Sequence, residues 1–293
     1  MSKTEIEQMV EPQQLSFLAR HPIGVLLGVC VPVVLATQAA ALVAGVDVMP
    51  AKILELVLLL GLASWITSRV SGPGGVRRLF AGLTRWRLGL RYPLLLLAMP
   101  LATIGVGLAT GTLQSPDDGW GFVVATYVAL LVLGAVTGNL WEETVWSGFV
   151  QGRLMAARGL LVGSLLTAIP FFVIHIPLAF EADGLKGTTW REACLDWALI
   201  ALAAPFQRYL IGMLLVDTGG STLAAGLMHA SINAAAAMAV TRGGWQFIPA
   251  LVVVTLGVTS YRCRQGLSAV DGDAPSLDGE PVPQRALRPV PST

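Results

Sequence analysis

Long apolar runs alternate with short polar breaks along this chain, and most runs approach the ~20 residues that a helix needs to cross a bilayer. The runs predict spans at about 23–46, 53–70, 93–110, 120–154, 160–180, 195–216, 222–240 and 247–261. The breaks between them carry turn residues, as in Ser71-Gly-Pro-Gly-Gly75, Asp217-Thr-Gly-Gly-Ser221 and Arg242-Gly-Gly244. The expected fold is all-α: a polytopic transmembrane helical bundle of about eight spans, occupying residues 23–264. A polar segment, 1–22, precedes it. The tail, 265–293, is rich in Pro, Gly, Asp and Ser, lacks material for a core and is expected to be disordered. The fourth run exceeds one crossing at 1.5 Å per residue, so it must tilt, bend or protrude. Gly134 and Gly138 are candidate bend points and form a small-xxx-small pair suited to close helix contact. Pro170 and Pro177 are expected to interrupt the fifth run.

Composition agrees with a membrane protein: 54% of residues are hydrophobic and 13% charged, against ~25% charged in soluble domains. The placement of the basic residues carries more information than their net charge. Arg77, Arg78, Arg85, Arg87 and Arg91 fill one short loop, Arg153 and Arg158 close the fourth run, and Arg262 and Arg264 close the last. By the positive-inside rule these breaks are cytoplasmic, which puts both termini of a multi-pass cell-membrane protein in the cytoplasm. The opening segment holds Glu5, Glu7 and Glu11 without a basic n-region, so no signal peptide is expected. Cys30, Cys194 and Cys263 have no spacing suited to a disulfide framework or a thiolate metal site. Cys30 and Cys194 are read as small apolar fillers. Nothing in the charge pattern points to nucleic acid; the expected partners are the lipid bilayer and a membrane-associated peptide or protein.

Few polar residues lie deep in the apolar runs. The principal ones are Glu142, Glu143, His175, Arg208, His229 and Asn233. A carboxylate at bilayer depth is disfavoured by roughly 2.5–3.5 kcal/mol on insertion scales, so an adjacent pair implies either a function or a segment ending in the headgroup layer. Adjacent helical residues point about 100° apart, so one of the pair should reach a reaction centre while the other holds a structural partner. Phe171 and His175 share a helix face, as do His229 and Asn233. A lone His in a helix is ordinarily a packing residue, but two of them with a Glu pair and an Asn suggest one polar site. Water activated by a carboxylate, with neutral donors for the oxyanion of an attacked carbonyl, is the chemistry these groups suit.

Glu142-Glu143, then Phe171-x-x-x-His175, then His229-x-x-x-Asn233, in that order on successive helices, resembles the CPBP family of intramembrane endopeptidases (CAAX proteases and bacteriocin-processing enzymes). The turn Asp217-Thr-Gly-Gly-Ser221 ahead of His229 is similar as well. The resemblance covers about 120–240 and implies a helical bundle with a polar cavity opening to the cytoplasm, hydrolysing peptide bonds near the membrane. It implies Glu142 as general base, His175 as a second holder of the water, His229 and Asn233 as the oxyanion hole, and Glu143 in support. Family members have been discussed both as glutamate-type and as metal-dependent proteases. Zinc held by Glu142, His175 and His229 is therefore the alternative to a cofactor-free site. The chain lacks the His-Glu-x-x-His helix of common zinc proteases, which favours the metal-free form.

One position departs from the family pattern. The first motif usually continues Glu-Glu-x-x-x-Arg, and here that place holds Ser147. Arg208, stranded in the sixth run, is expected to supply the missing charge to Glu143; the alternative is that it snorkels to an interface. Loss of the motif Arg also keeps open a catalytically degenerate scaffold or bacteriocin-immunity protein. A proton-coupled transporter would use the same residues, but no internal repeat supports one.

Overall fold

The computed structural model describes residues 16–86, 89 and 91–267. Most of the polar opening segment, Arg87, the Arg91 side chain and the tail from 268 lie outside the described residues.

The apolar runs form α1 (Pro22–Ala44), α2 (Met49–Val70), α4 (Arg91–Ala109), α5 (Gly119–Arg158), α6 (Leu160–Ile174), α7 (Trp190–Asp217), α8 (Thr222–Ala236) and α9 (Phe247–Arg264), with a short α3 (Gly75–Ala81) in the arginine-rich loop. Local chemistry sets several boundaries. Gly45 closes α1 in the left-handed conformation that a residue with a Cβ adopts at a cost. Thr189 and Glu192 form a reciprocal capping box at the start of α7. The Ser221 hydroxyl accepts from the Ala224 N–H at 3.1 Å to open α8.

Among the described residues, six helices are long and apolar enough to cross a membrane: Pro22–Ala44, Met49–Val70, Tyr92–Ala109, Gly119–Arg158, Leu160–Phe180 and Trp190–Asp217. Their outer faces leave large apolar side chains such as Val57, Leu101, Val124 and Ile169 exposed, as a lipid-facing surface requires. The chain is thus a multi-pass helical membrane protein. The seventh and eighth expected runs form α8 and α9, of 15 and 18 residues. Most of α8 is buried among α4, α5, α7 and α9, so protein contact replaces lipid contact and a long apolar stretch is not required of it.

Pro170 lies inside α6 without ending it; the helix changes only at His175, where Ile176–Phe180 tightens into a 3₁₀ turn around Pro177. α5 departs from regular α-helix at the expected Gly134 and Gly138 positions and again further on. It contains two π-helical turns, Ala135–Asn139 and Trp146–Gln151, on either side of the α-helical Leu140–Val145. The two glycines do not meet another helix: a Cβ at either would find only the Asn139 or Glu142 side chain. The close approach is made instead by Gly226 of α8, where a Cβ would stand 2.9 Å from Leu140 Cα and 3.1 Å from the Asn139 carbonyl oxygen. Cys30 is buried, whereas Cys194 is exposed and fills no core space. Arg262, expected to stop the last run, is turned inward, its Nη1 on the Asp217 carboxylate.

Replacing Gly226 by Ala should therefore lower the thermal midpoint in detergent, because overpacking of about 1–3 kcal/mol exceeds the roughly 0.5–1 kcal/mol gained on removing a helical glycine. Gly121→Ala, where a Cβ meets nothing within 4 Å, should hold or raise it. Equal midpoints for the two variants would contradict this packing.

Candidate active site

The two π turns set the register of Glu142 and Glu143. A π turn inserts one residue into the α-helical count, and such turns concentrate at functional sites. Between them the pair divides as adjacent helical residues must: Glu143 is fully buried, whereas the Glu142 side chain keeps 29% of its surface and faces a cavity.

Glu143 is held from three helices. Arg208 of α7 donates through Nη1, at 3.2 Å, and through Nη2, so the ion pair is bidentate. The Ser147 hydroxyl, one turn along α5, donates to the same carboxylate. His229 Nδ1 of α8 lies 2.9 Å from Glu143 Oε1. Arg208 is completely buried, and its guanidinium stacks 4.5 Å from the centroid of the Phe171 ring. Phe171 also packs against both histidines, with ring centroids 4.4 Å from His175 and 5.7 Å from His229. Arg208 does not snorkel. It reaches across from α7 to the carboxylate left without the motif Arg, and Ser147 occupies the small space that remains. Gln151 steadies this arrangement by donating to the Arg208 carbonyl at 2.7 Å and to Ser164 Oγ at 3.0 Å.

Glu142, His175, His229 and Asn233 line one cavity of about 660 Å³. His175 Nδ1 donates to the Phe171 carbonyl at 2.6 Å, since a carbonyl can only accept. His229 Nδ1 likewise donates to the ionised Glu143. Each neutral ring is left with Nε2 as an acceptor, and becomes a donor there only as imidazolium. Hydrogen-bonded Nδ1 is also the pattern of metal-ligating histidines. Among the described residues, no three His, Cys, Asp or Glu side chains are grouped closely enough to hold a metal ion.

The cavity has polar walls beyond the expected set. Asn139 Nδ2 lies 3.5 Å from Glu142 Oε2. Glu55 of α2 faces the same space and accepts from Gln38 Nε2 at 2.8 Å. Gln207, only 6% exposed, lines the cavity with its Nε2 unpartnered. Glu55 carried a signal in the sequence, being a carboxylate within the second apolar run. Gln207 did not, because an amide beside a conspicuous Arg looks like ordinary polarity. Of the two tryptophans flanking the pair, Trp146 packs edge-on to Phe171 in the core. Trp141 faces outward and donates to the Val136 carbonyl of the first π turn at 2.8 Å.

Residues 123–235, from α5 to α8, match the family described as type II CAAX prenyl endopeptidase Rce1-like. That match supports membership of the CPBP family. No curated protein and no solved structure gives a significant match. The matched segment holds every residue of the expected site, and the family supports a CAAX-type intramembrane protease.

Restoring the motif Arg should harm this protein. Ser147→Arg would force a second guanidinium beside Arg208 in a closed space, costing more than the about 1–3 kcal/mol of simple overpacking. Ser147→Arg combined with Arg208→Ala should recover most of that loss in thermal unfolding. Wild-type stability of the single variant would contradict the assigned roles of both residues.

Proposed function

We propose that this protein is an intramembrane endopeptidase that cleaves a membrane-associated peptide through water activated by Glu142. One observation carries the reading: of the two adjacent carboxylates, Glu143 is neutralised by Arg208 and hydrogen-bonded by Ser147 and His229, while Glu142 faces the cavity beside both histidines and Asn233. A carboxylate satisfied on all sides is a poor base. Its neighbour is free to take a proton.

The cycle follows from these positions. Glu142 accepts a proton from water, and the resulting hydroxide attacks the carbonyl carbon of the scissile bond. The oxyanion receives hydrogen bonds from side-chain amides, for which Asn233 and the unpartnered Gln207 are the available donors in the cavity wall. His229 joins them only when protonated at Nε2. Glu142 then returns its proton to the leaving amide nitrogen, and the C–N bond breaks to give a carboxylic acid and an amine. His175 helps to hold the water. Glu143 and Arg208 position His229 and touch no reacting atom. No metal ion takes part in the cycle proposed.

The degenerate-scaffold reading rests on the absence of an Arg at 147, and Arg208 removes most of its force by supplying the same charge. Purified protein tested on a peptide library in detergent separates the readings. Glu142→Gln should lower cleavage about 10²–10⁴-fold, the usual contribution of a general base, while EDTA leaves it unchanged. Loss of cleavage in EDTA would favour a metal-dependent enzyme, and no cleavage by the wild-type protein would favour the scaffold.

A further inference from the structure

The two ends of the bundle differ in closure and in charge. At one end lie the turn after α1, the loop 110–118, the segment 181–189 and the loop 237–246. Backbone bonds join two of these: Gln114 N–H donates to the Val240 carbonyl at 2.8 Å and Arg242 N–H to the Thr112 carbonyl at 2.9 Å. Lys52 Nζ bridges both Glu181 oxygens at 2.6 and 2.7 Å, tying the start of α2 to the segment after α6. The other end carries α3, the α5–α6 junction at Gly159 and the turn 218–221.

The cavity reaches the first end. Its lining includes Met49, the first residue of α2; Leu178, in the 3₁₀ turn after α6; Ala236, the last residue of α8; and Phe247, the first of α9. It does not reach the second end. Beyond Glu143 the chain is buried continuously from Trp146 to Gln151. α3 and the start of α8 then seal that side: a Cβ at Gly148 would lie 3.2 Å from Thr222 Cγ2 and 3.5 Å from Leu79 Cδ1. Ser221 Oγ donates to the Arg85 carbonyl at 2.9 Å, and Gly82 sits directly against Gly220 and Thr222. The arginines gather at this sealed end: Arg77, Arg78 and Arg85 on and after α3, Arg153 and Arg158 at the end of α5, and Arg264 at the end of α9. The open end carries Asp47, Asp117, Asp118, Glu181 and Asp183 against Lys52, Lys186, Arg191 and Arg242, with Lys52 paired to Glu181.

We infer that the cavity is entered from the end opposite the main arginine cluster, which the positive-inside rule makes the non-cytoplasmic face. Its occupant is then an extended segment of an exported or outward-facing peptide, not the cytoplasmic C-terminus of a prenylated protein. This reverses the cytoplasmic opening that the family resemblance implied, because the cavity mouth and the main arginine cluster lie at opposite ends of the bundle. Calling the occupant a substrate rests on the protease reading; the side of entry does not.

Side-specific thiol labelling tests entry without requiring cleavage. In a Cys194→Ser, Cys263→Ser background, with buried Cys30 left in place, the reporters are Ala203→Cys on the cavity wall and Ala236→Cys at its mouth. Each full-length variant, in right-side-out and in inside-out vesicles, is treated with a membrane-impermeant sulfonated methanethiosulfonate and analysed by intact mass. The expected result is modification in right-side-out vesicles and its loss in inside-out ones. Modification from the cytoplasmic face alone, or equally from both faces, would overturn the inference. Should the reagent enter from outside while no peptide is ever cut, the protease reading fails and the entry side stands.

Discussion

The buried ion pair between Arg208 and Glu143 is the interaction on which the site depends. A carboxylate enclosed by three helices cannot stay ionised alone, since an unpaired buried charge is expensive and breaking such a pair by removing one partner costs about 3–5 kcal/mol. Arg208 reaches it from α7, Ser147 from one turn along α5 and His229 from α8. One group therefore fixes the mutual position of all three elements. It also fixes the His229 tautomer, because an ionised carboxylate can only accept. Through His229 and Phe171 the same contact reaches His175, so the geometry of the cavity wall follows from a residue that does not itself line the cavity.

The division between Glu142 and Glu143 shows how helix geometry assigns roles. Adjacent residues point about 100° apart, and the π turns on either side hold Leu140–Val145 so that one carboxylate meets Arg208 and the other meets open space. Gly226 allows α8 to approach this segment closely enough for His229 to reach Glu143. The family motif, the π turns and the small residue on α8 are one construction.

Much of this was legible in the sequence. Charged and polar residues inside apolar runs are conspicuous, so the Glu pair, the two histidines, Asn233 and Arg208 could be named from pattern alone, and the helical membrane class followed from the run lengths. The structure adds what a linear pattern cannot carry. That Arg208 ends on Glu143 depends on how α7 packs against α5. Gln207, Gln38 and Asn139 are uncharged amides, whose burial in a cavity wall has no signature in the chain. The first π turn, Ala135–Asn139, falls at the Gly134 and Gly138 pair, whereas the second, Trp146–Gln151, lies beyond it. The modest apolarity of α8 suggests a span, and its packing among other helices means that it need not meet lipid. Proline removes one helix hydrogen bond and so predicts a break at Pro170, yet α6 continues through it to Ile174.

A double-mutant cycle on Glu143 and Arg208, read by thermal unfolding and by peptide cleavage, tests the central claim most directly. The account predicts that Glu143→Leu and Arg208→Met are each strongly destabilising. Their combination should be more stable than either single variant, because no lone buried charge remains, while cleavage stays lost for want of a held His229. Additive destabilisation, or full cleavage in any of the three variants, would contradict it.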